Sequence, residues 1–260
     1  MFKQQKKATA TMPIDLPLTI ETANGALRRS FSGEQIGQLR RMITDLLVDQ
    51  RLPTRIGFTA ALRGEGVSFI TLASAVTLAH DTGKHICAVE LNWLAPGMLH
   101  NLNPPPPVSG KRRRREPAPP PPPVPNLPGI AEILRGQATI DEALLATNHT
   151  GLWLLPAGVV TLEQRPLLAR SSELRTLLDR LGERFDHILL DLPAILQTSD
   201  TLALAALADA YALVVRHGVT PITEIRQALS DIEHVPVLGV ILNQARIATP
   251  RWIHRLIPQE

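Results

Sequence analysis

Between Arg55 and Leu72 a short apolar strand runs into a glycine turn and emerges as an apolar helix. The segment reads Arg55-Ile56-Gly57-Phe58-Thr59, then Ala60-Ala61-Leu62-Arg63-Gly64-Glu65-Gly66-Val67-Ser68, then Phe69-Ile70-Thr71-Leu72. Strand, glycine turn and helix in that order are what a phosphate-binding loop requires. The glycines let backbone N–H groups converge on a phosphate, and the helix N-terminus adds its partial positive charge. Ser68 stands where the Mg²⁺-binding hydroxyl belongs, and Val67 stands where the lysine belongs. The loop therefore has the shape to hold phosphate without the cation that stabilises the outer phosphates during transfer. Losing one such charge-assisted contact costs about 1.5–3 kcal/mol, roughly ten- to a hundredfold in affinity. Arg63, on the loop itself, is a candidate substitute cation; the plainer reading is a solvated surface arginine.

Downstream, strands alternate with helices. Strands are expected over residues 56–60, 85–90, 152–155, 187–191, 210–216 and 237–243, and helices over 67–80, 171–183, 201–208 and 221–232. Ile188-Leu189-Leu190 and Leu213-Val214-Val215 are continuously apolar, the pattern of strands covered on both faces. The fold class expected is α/β: a doubly wound, mostly parallel sheet with helices on both faces. Upstream, Ser32 is placed to cap a helix with Gln35 in the reciprocal position, and Ile36, Leu39, Met42, Ile43, Leu46 and Leu47 form its apolar stripe. Residues 1–31 read as a flexible arm, 32–245 as the domain and 246–260 as a tail. Residues 103–128 interrupt the alternation with Pro104–Pro107, Lys111-Arg112-Arg113-Arg114-Arg115 and Pro119–Pro123. Proline at this density joins neither a helix nor an inner strand, so an extended insertion is expected.

Composition narrows the function classes. Net charge is only +3, and aromatic residues make up 3% of the chain, which disfavours base-stacking nucleic-acid modules. The single cysteine, Cys87, lies in an expected buried strand, which excludes a disulfide framework and fits a reducing cytoplasm. Apolar runs are broken well before the ~20 residues needed to span a bilayer, and the polar, basic start from Met1 to Lys7 argues against a secretory signal. His80, His85 and His100 have no metal-site spacing.

Five motifs in order give a family resemblance. Gly64-Glu65-Gly66 with Ser68, Leu154-Leu155-Pro156-Ala157-Gly158, Asp191-Leu192-Pro193-Ala194 after an apolar strand, Ser199-Asp200, and Gly239-Val240-Ile241-Leu242-Asn243 together resemble the bacterial tyrosine kinases of capsule and exopolysaccharide synthesis. Those are relatives of the MinD and ParA ATPases. The resemblance covers residues 32–245 and implies a P-loop fold, ATP or ADP with Mg²⁺ as cofactors, and ATP-dependent protein tyrosine kinase activity. It further implies a membrane polysaccharide co-polymerase or its cytoplasmic tail as partner, homo-oligomerisation, and a cytoplasmic location that can be peripheral to the membrane.

Departures from the family pattern fall on the chemistry. Val67 replaces the loop lysine. The second acidic motif reads Glu90-Leu91-Asn92-Trp93-Leu94 where the resemblance implies Asp, Asp and Arg at Glu90, Asn92 and Leu94. The arginine motif of ring assembly reads Glu34-x-x-Gly37-x-x-Arg40, without its central arginine. The single tyrosine, Tyr211, sits in an apolar strand, and the tail Arg251-Trp252-Ile253-His254-Arg255 carries none of the family's phosphoacceptor cluster.

Candidate site residues follow. Asp191, at the C-terminal edge of its strand where open α/β sheets bind ligands, is expected to work as the catalytic and Mg²⁺-shell carboxylate, with Ser68 as the other metal ligand. Glu90 and Asn92 are weaker catalytic candidates, and the two carboxylates Glu90 and Asp191 should face one crevice. Arg63, Gly64, Glu65, Gly66, Val67, Ser68 and Phe69 form the expected cofactor-binding loop. Asn243 either reads an adenine edge or forms a turn. The Lys111–Arg115 run reads as a solvated linker, as an anchor to anionic lipid at about 1 kcal/mol per basic residue, or as a nonspecific nucleic-acid contact. The lipid reading suits the family best. Three functions stay open: a degenerate kinase-like scaffold or nucleotide sensor, an active kinase or ATPase with a relocated cation, and a positioning ATPase on membrane or DNA.

Overall fold

A computed structural model describes residues 14–48, 52–104 and 125–245. In chain order the elements are β1 (Leu16–Thr22), β2 (Gly25–Phe31), α1 (Gly33–Val48), β3 (Arg55–Ala60), α2 (Val67–Thr82), β4 (Ile86–Glu90), α3 (Met98–Leu102), α4 (Ile130–Leu134), α5 (Ile140–Ala143), β5 (Leu145–Ala146), β6 (Leu152–Leu155), α6 (Arg165–Ala169), α7 (Ser172–Gly182), β7 (His187–Asp191), α8 (Asp200–Ala205), β8 (Ala210–Arg216), α9 (Ile222–Asp231) and β9 (Val237–Asn243). Seven strands form one sheet in the order β5-β6-β4-β7-β3-β8-β9, parallel throughout except for the short β5. The doubly wound α/β reading thus holds.

Successive residues of the continuous apolar strands serve opposite layers. Ile188 and Leu190 join Tyr211, Leu213 and Val215 under α7, α8 and α9, whereas Leu189 joins Ile56, Phe58, Ala212 and Val214 under α1 and α2. Helix α1 starts as expected: the Gln35 amide N–H donates to the Ser32 hydroxyl at 3.4 Å, and the Ser32 N–H donates to Gln35 Oε1 at 3.1 Å. Arg40, the remaining arginine of the α1 motif, makes a two-pronged ion pair with Asp81 of α2 at 2.5 and 2.8 Å, which pins the two helices together.

One expectation fails at the N-terminus. Leu16 to Phe31 is an antiparallel hairpin rather than a flexible arm. Leu16, Leu18 and Ile20 alternate with polar neighbours and, with Leu27 and Phe31, bury one face against α1, α2 and α3. Asn148 holds the hairpin to the sheet edge, accepting from Thr19 N–H at 2.6 Å and donating to the Pro17 carbonyl at 2.9 Å. The proline runs with Lys111–Arg115, and the tail beyond residue 245, lie outside the described residues.

Candidate functional site

At the C-terminal ends of β4, β7 and β3 the chain builds a cleft of about 510 Å³ over the start of α2. Gly64 and Gly66 carry φ of +84° and +93°, and Gly66 delivers the chain into α2 without any side chain capping the first turn. The first N–H groups of this 16-residue helix therefore lack the partners that a side-chain cap supplies, which is the arrangement that binds anions. Arg63, Gly64, Glu65, Gly66, Val67, Ser68 and Phe69 all line the cleft, as does Asn92. His100 lines it as well, although its spacing in the sequence carries no such signal.

The loop is braced from behind. Glu65 is 3% exposed, and one carboxylate oxygen accepts a short hydrogen bond from the Thr220 hydroxyl. Burial raises its proton affinity, offset in part by Thr220 and by the backbone N–H groups of Leu62 and Ala61. Asn243 Nδ2 donates to the Glu65 carbonyl at 2.7 Å, while its Oδ1 accepts from Gln244 N–H. Both groups of the Asn243 amide are thus engaged by the chain itself, in fixing the loop and the turn after β9.

Asp191 and Glu90 end adjacent strands in register, as the sequence implied, but they are not equivalent. Glu90 Oε1 accepts from the N–H groups of Gly97 at 2.6 Å and Met98 at 2.7 Å, and Oε2 from Ala157 N–H at 3.2 Å. It joins the loop before α3 to the turn after β6 and does not line the phosphate cleft. Burial raises its proton affinity, offset in part by the Met98, Ala157 and Gly97 N–H groups; the contacts it makes are those of a residue that positions the two loops. Asn92 Oδ1 accepts from Ala95 N–H at 3.1 Å and shapes the same loop. Gly97 brings that loop within contact of the site: a Cβ there would stand 2.7 Å from Ser68 Oγ.

Asp191 is the anomaly. It is fully buried, neither carboxylate oxygen has a hydrogen-bond partner among the described residues, and like Glu90 it does not line the cleft, lying beneath Leu192 and Ser68, which do. Burial, and secondarily the neighbouring Glu90 charge, pushes its carboxyl well above the usual range. The Ser68 hydroxyl lies close enough to temper that rise but not in bonding geometry. Two unpartnered carboxylate oxygens beside a hydroxyl form a donor set suited to a hard divalent cation. Among the described residues no group of three or more His, Cys, Asp or Glu side chains is placed to hold a metal, so Mg²⁺ here would need oxygen atoms from water or a phosphate as well.

No family model matches the chain. It is 29% identical over 118 residues to the tyrosine-protein kinase ptk of Acinetobacter johnsonii, covering 45% of this chain and 16% of that protein. Over 193 residues it is 29% identical to the succinoglycan biosynthesis transport protein ExoP of Rhizobium meliloti, covering 73% and 22%. The chain thus matches less than a quarter of the length of these relatives. Among solved structures, the VpsO kinase domain superposes with a TM-score of 0.66 at 24% identity, covering 82% of this chain and 97% of that one. The septum site-determining protein MinD of Pyrococcus horikoshii, complexed with Mg-ADP, superposes at 0.52 with 18% identity, covering 79% and 77%. The chain is a homologue of the bacterial tyrosine kinases of polysaccharide biosynthesis, built on the MinD-like P-loop fold, with valine in place of the loop lysine.

Proposed function

We propose that this protein binds Mg²⁺–nucleotide without transferring phosphate, and serves as a nucleotide-sensing or scaffold partner in cell-surface polysaccharide biosynthesis. The observation that carries this reading is the loop: its glycine geometry and uncapped helix start are intact, while Val67 brings no charge to the outer phosphates. Backbone N–H groups from Gly64 to Ser68 would hold the phosphates, with Ser68 and Asp191 on the Mg²⁺ side. Bound Mg²⁺ would neutralise phosphate charge; the chain's own part is to orient the nucleotide and to supply the buried Asp191 carboxylate.

Two further features support the absence of transfer. Glu90 is turned away from the cleft and engaged by three backbone N–H groups. Tyr211 is fully buried in β8, where it cannot act as a phosphoacceptor without unfolding the sheet. The partner we infer is a membrane polysaccharide co-polymerase or its cytoplasmic tail, and the site of action the inner face of the membrane. No helix of the described residues is long and apolar enough to cross a membrane. The membrane contact we infer is that partner, or the Lys111–Arg115 run on anionic lipid.

Calorimetric titration of Mg²⁺–ATP and Mg²⁺–ADP into the wild-type protein tests the reading. Micromolar binding without turnover is expected. No binding at millimolar nucleotide overturns the sensing role, and steady phosphorylation of a partner, abolished by Asp191→Asn, overturns the loss of transfer.

A further inference from the structure

At the start of α6 a half-buried cation lacks the partners that burial demands. Arg165 is the first residue of that helix, and its Nε is buried without a hydrogen-bond partner. Its outer nitrogens make no hydrogen bond among the described residues but stay open to solvent. No carboxylate of those residues pairs with it. A buried donor left in this state calls for an explanation.

Arg165 lines a cavity of about 200 Å³ beyond the end of β4. Trp93, from the chain after β4, and Leu204 of α8 are buried and give the cavity apolar walls. Leu94, the leucine that stands where the family pattern has an arginine, lines it as well. So does Leu162, an exposed apolar side chain that a ligand's stem would cover. Asp200 is the carboxylate of the lining, and its Oδ1 already accepts from Arg170 Nη1 at 2.9 Å. The Arg165 charge is therefore left unbalanced. Gln197 lines both this cavity and the phosphate cleft, so the two are neighbours, but no residue from Arg63 to Phe69 reaches the smaller one.

A guanidinium fork grips a carboxylate or a phosphate with parallel hydrogen bonds. Apolar walls around one unpaired charge select a ligand with an anionic end and an apolar body, and a cavity below the size of ordinary cofactor sites takes a group no larger than a side chain. We propose that this cavity is a second binding site, for a carboxylate or phosphate carried on a short apolar stem, with Arg165 as its anchor. The site stands apart from the glycine loop and does not rest on the nucleotide reading above.

The test is two-dimensional NMR of the full chain, which observes the Arg165 Nε–H group directly. The probes are hexanoate, hexyl phosphate, acetate and hexylamine, added to wild type, Arg165→Met, Arg165→Lys and Arg175→Gln. Methionine keeps an apolar stem and removes the charge. Arg175→Gln removes an exposed charge from α7, outside the cavity. We expect hexanoate, hexyl phosphate or both to shift the signals of Arg165 Nε–H, Leu94 and Leu162 saturably, acetate to bind more weakly, and hexylamine to leave them unmoved. Arg165→Met should lose about tenfold in affinity for the anions, Arg165→Lys should fall between, and Arg175→Gln should match wild type. A response to hexanoate alone assigns the site to carboxylates, to hexyl phosphate alone to phosphates, and to both to either oxyanion. Hexylamine binding as tightly as the anions, wild-type affinity in Arg165→Met, or equal losses at Arg165 and Arg175 overturns the proposal. So does the absence of any saturable shift at millimolar probe, and so do shifts confined to Gly64–Ser68, which would put the probe in the phosphate cleft instead.

Discussion

Replacing Asp191 with asparagine should stabilise the protein, and the gain should depend on pH in a defined way. Asp191 is fully buried, lacks hydrogen-bond partners among the described residues, and sits beside Glu90. Burial and the Glu90 charge raise its folded-state proton affinity, while the same group in the unfolded chain titrates near its ordinary value of about 3.9. A raised carboxyl contributes stability fully below the unfolded value and loses it as pH rises toward the folded value. Across that window the wild type loses up to about 1.4 kcal/mol per pH unit from this group. The asparagine of the variant has no proton to bind, so its advantage should open from about pH 4 upward. Each kcal/mol corresponds to roughly 2–4 °C in Tm for a domain of this size. Thermal unfolding of both proteins from about pH 4 to 8, the range in which the two should diverge, reads the difference directly when nucleotide and Mg²⁺ are left out. Addition of Mg²⁺–ATP should then raise the wild-type Tm more than that of the variant. Parallel profiles across the whole range would refute the claim that Asp191 is an uncompensated carboxyl.

Three other perturbations follow from the same geometry. Val67→Lys should raise Mg²⁺–ATP affinity about ten- to a hundredfold, read by calorimetry, while lowering apo stability by about 0.3–1 kcal/mol because a cation at a helix N-terminus opposes the helix dipole; unchanged affinity would mean the rest of the loop no longer presents its N–H groups to phosphate. Gly66→Ala should cost about 2–3 kcal/mol in chemical unfolding, from the left-handed φ of +93° and displacement of the Asn243 amide that a Cβ would strike; a cost below about 0.5 kcal/mol, the scale of an ordinary surface substitution, would show the loop free to move. His187 is buried with its Nδ1 on the Pro53 carbonyl at 2.9 Å and Lys84 Nζ 3.2 Å from its Nε2. Burial foremost, with Lys84 adding to it, lowers its proton affinity, so it stabilises the fold above about pH 6.5 and that contribution fades as pH falls toward the folded value; His187→Gln should flatten this part of the pH–stability curve, and an unchanged slope would place the titration elsewhere.

Most of the sheet is legible in the sequence because parallel inner strands read as unbroken apolar runs with glycine or proline at their ends. The loop from Gly64 to Ser68 is legible because its φ values require glycine at two fixed places. The hairpin escapes such a reading although its signals are present: Leu16, Leu18 and Ile20 alternate, and Ala23-Asn24 forms its two-residue turn ahead of Gly25. Scattered prolines hide them, and Pro17 lies on an exposed position of β1, where proline is tolerated. Side-chain partners are less legible than backbone. No spacing rule links Glu90 to Gly97 and Ala157, or Asn243 to Glu65 across 178 residues; these pairs exist because the sheet order puts distant chain ends side by side.

The departures and the retained residues divide along a physical line. Glu65, Gly66 and Asn243 form the brace that joins the loop to β8 and β9 through Thr220 and the end of the sheet. Replacing Asn243 removes the partner of the Glu65 carbonyl, and a Cβ at Gly66 would strike the Asn243 amide, so these positions serve the loop's shape. Val67 and Asn92 are different. Both face the cleft, and neither substitution disturbs that brace. At the first turn of α2 a valine spares the helix a like-signed charge at its positive end. Loss of the lysine is therefore neutral or favourable for the empty protein and costly only when an anion must be held. Asp191 runs the other way: it burdens the empty fold with an unpartnered carboxyl, and packing gives no reason to keep it. On the proposed reading its cost to the empty fold is offset when a ligand brings a cation to the end of β7, which is why Mg²⁺–nucleotide should stabilise the wild type more than Asp191→Asn.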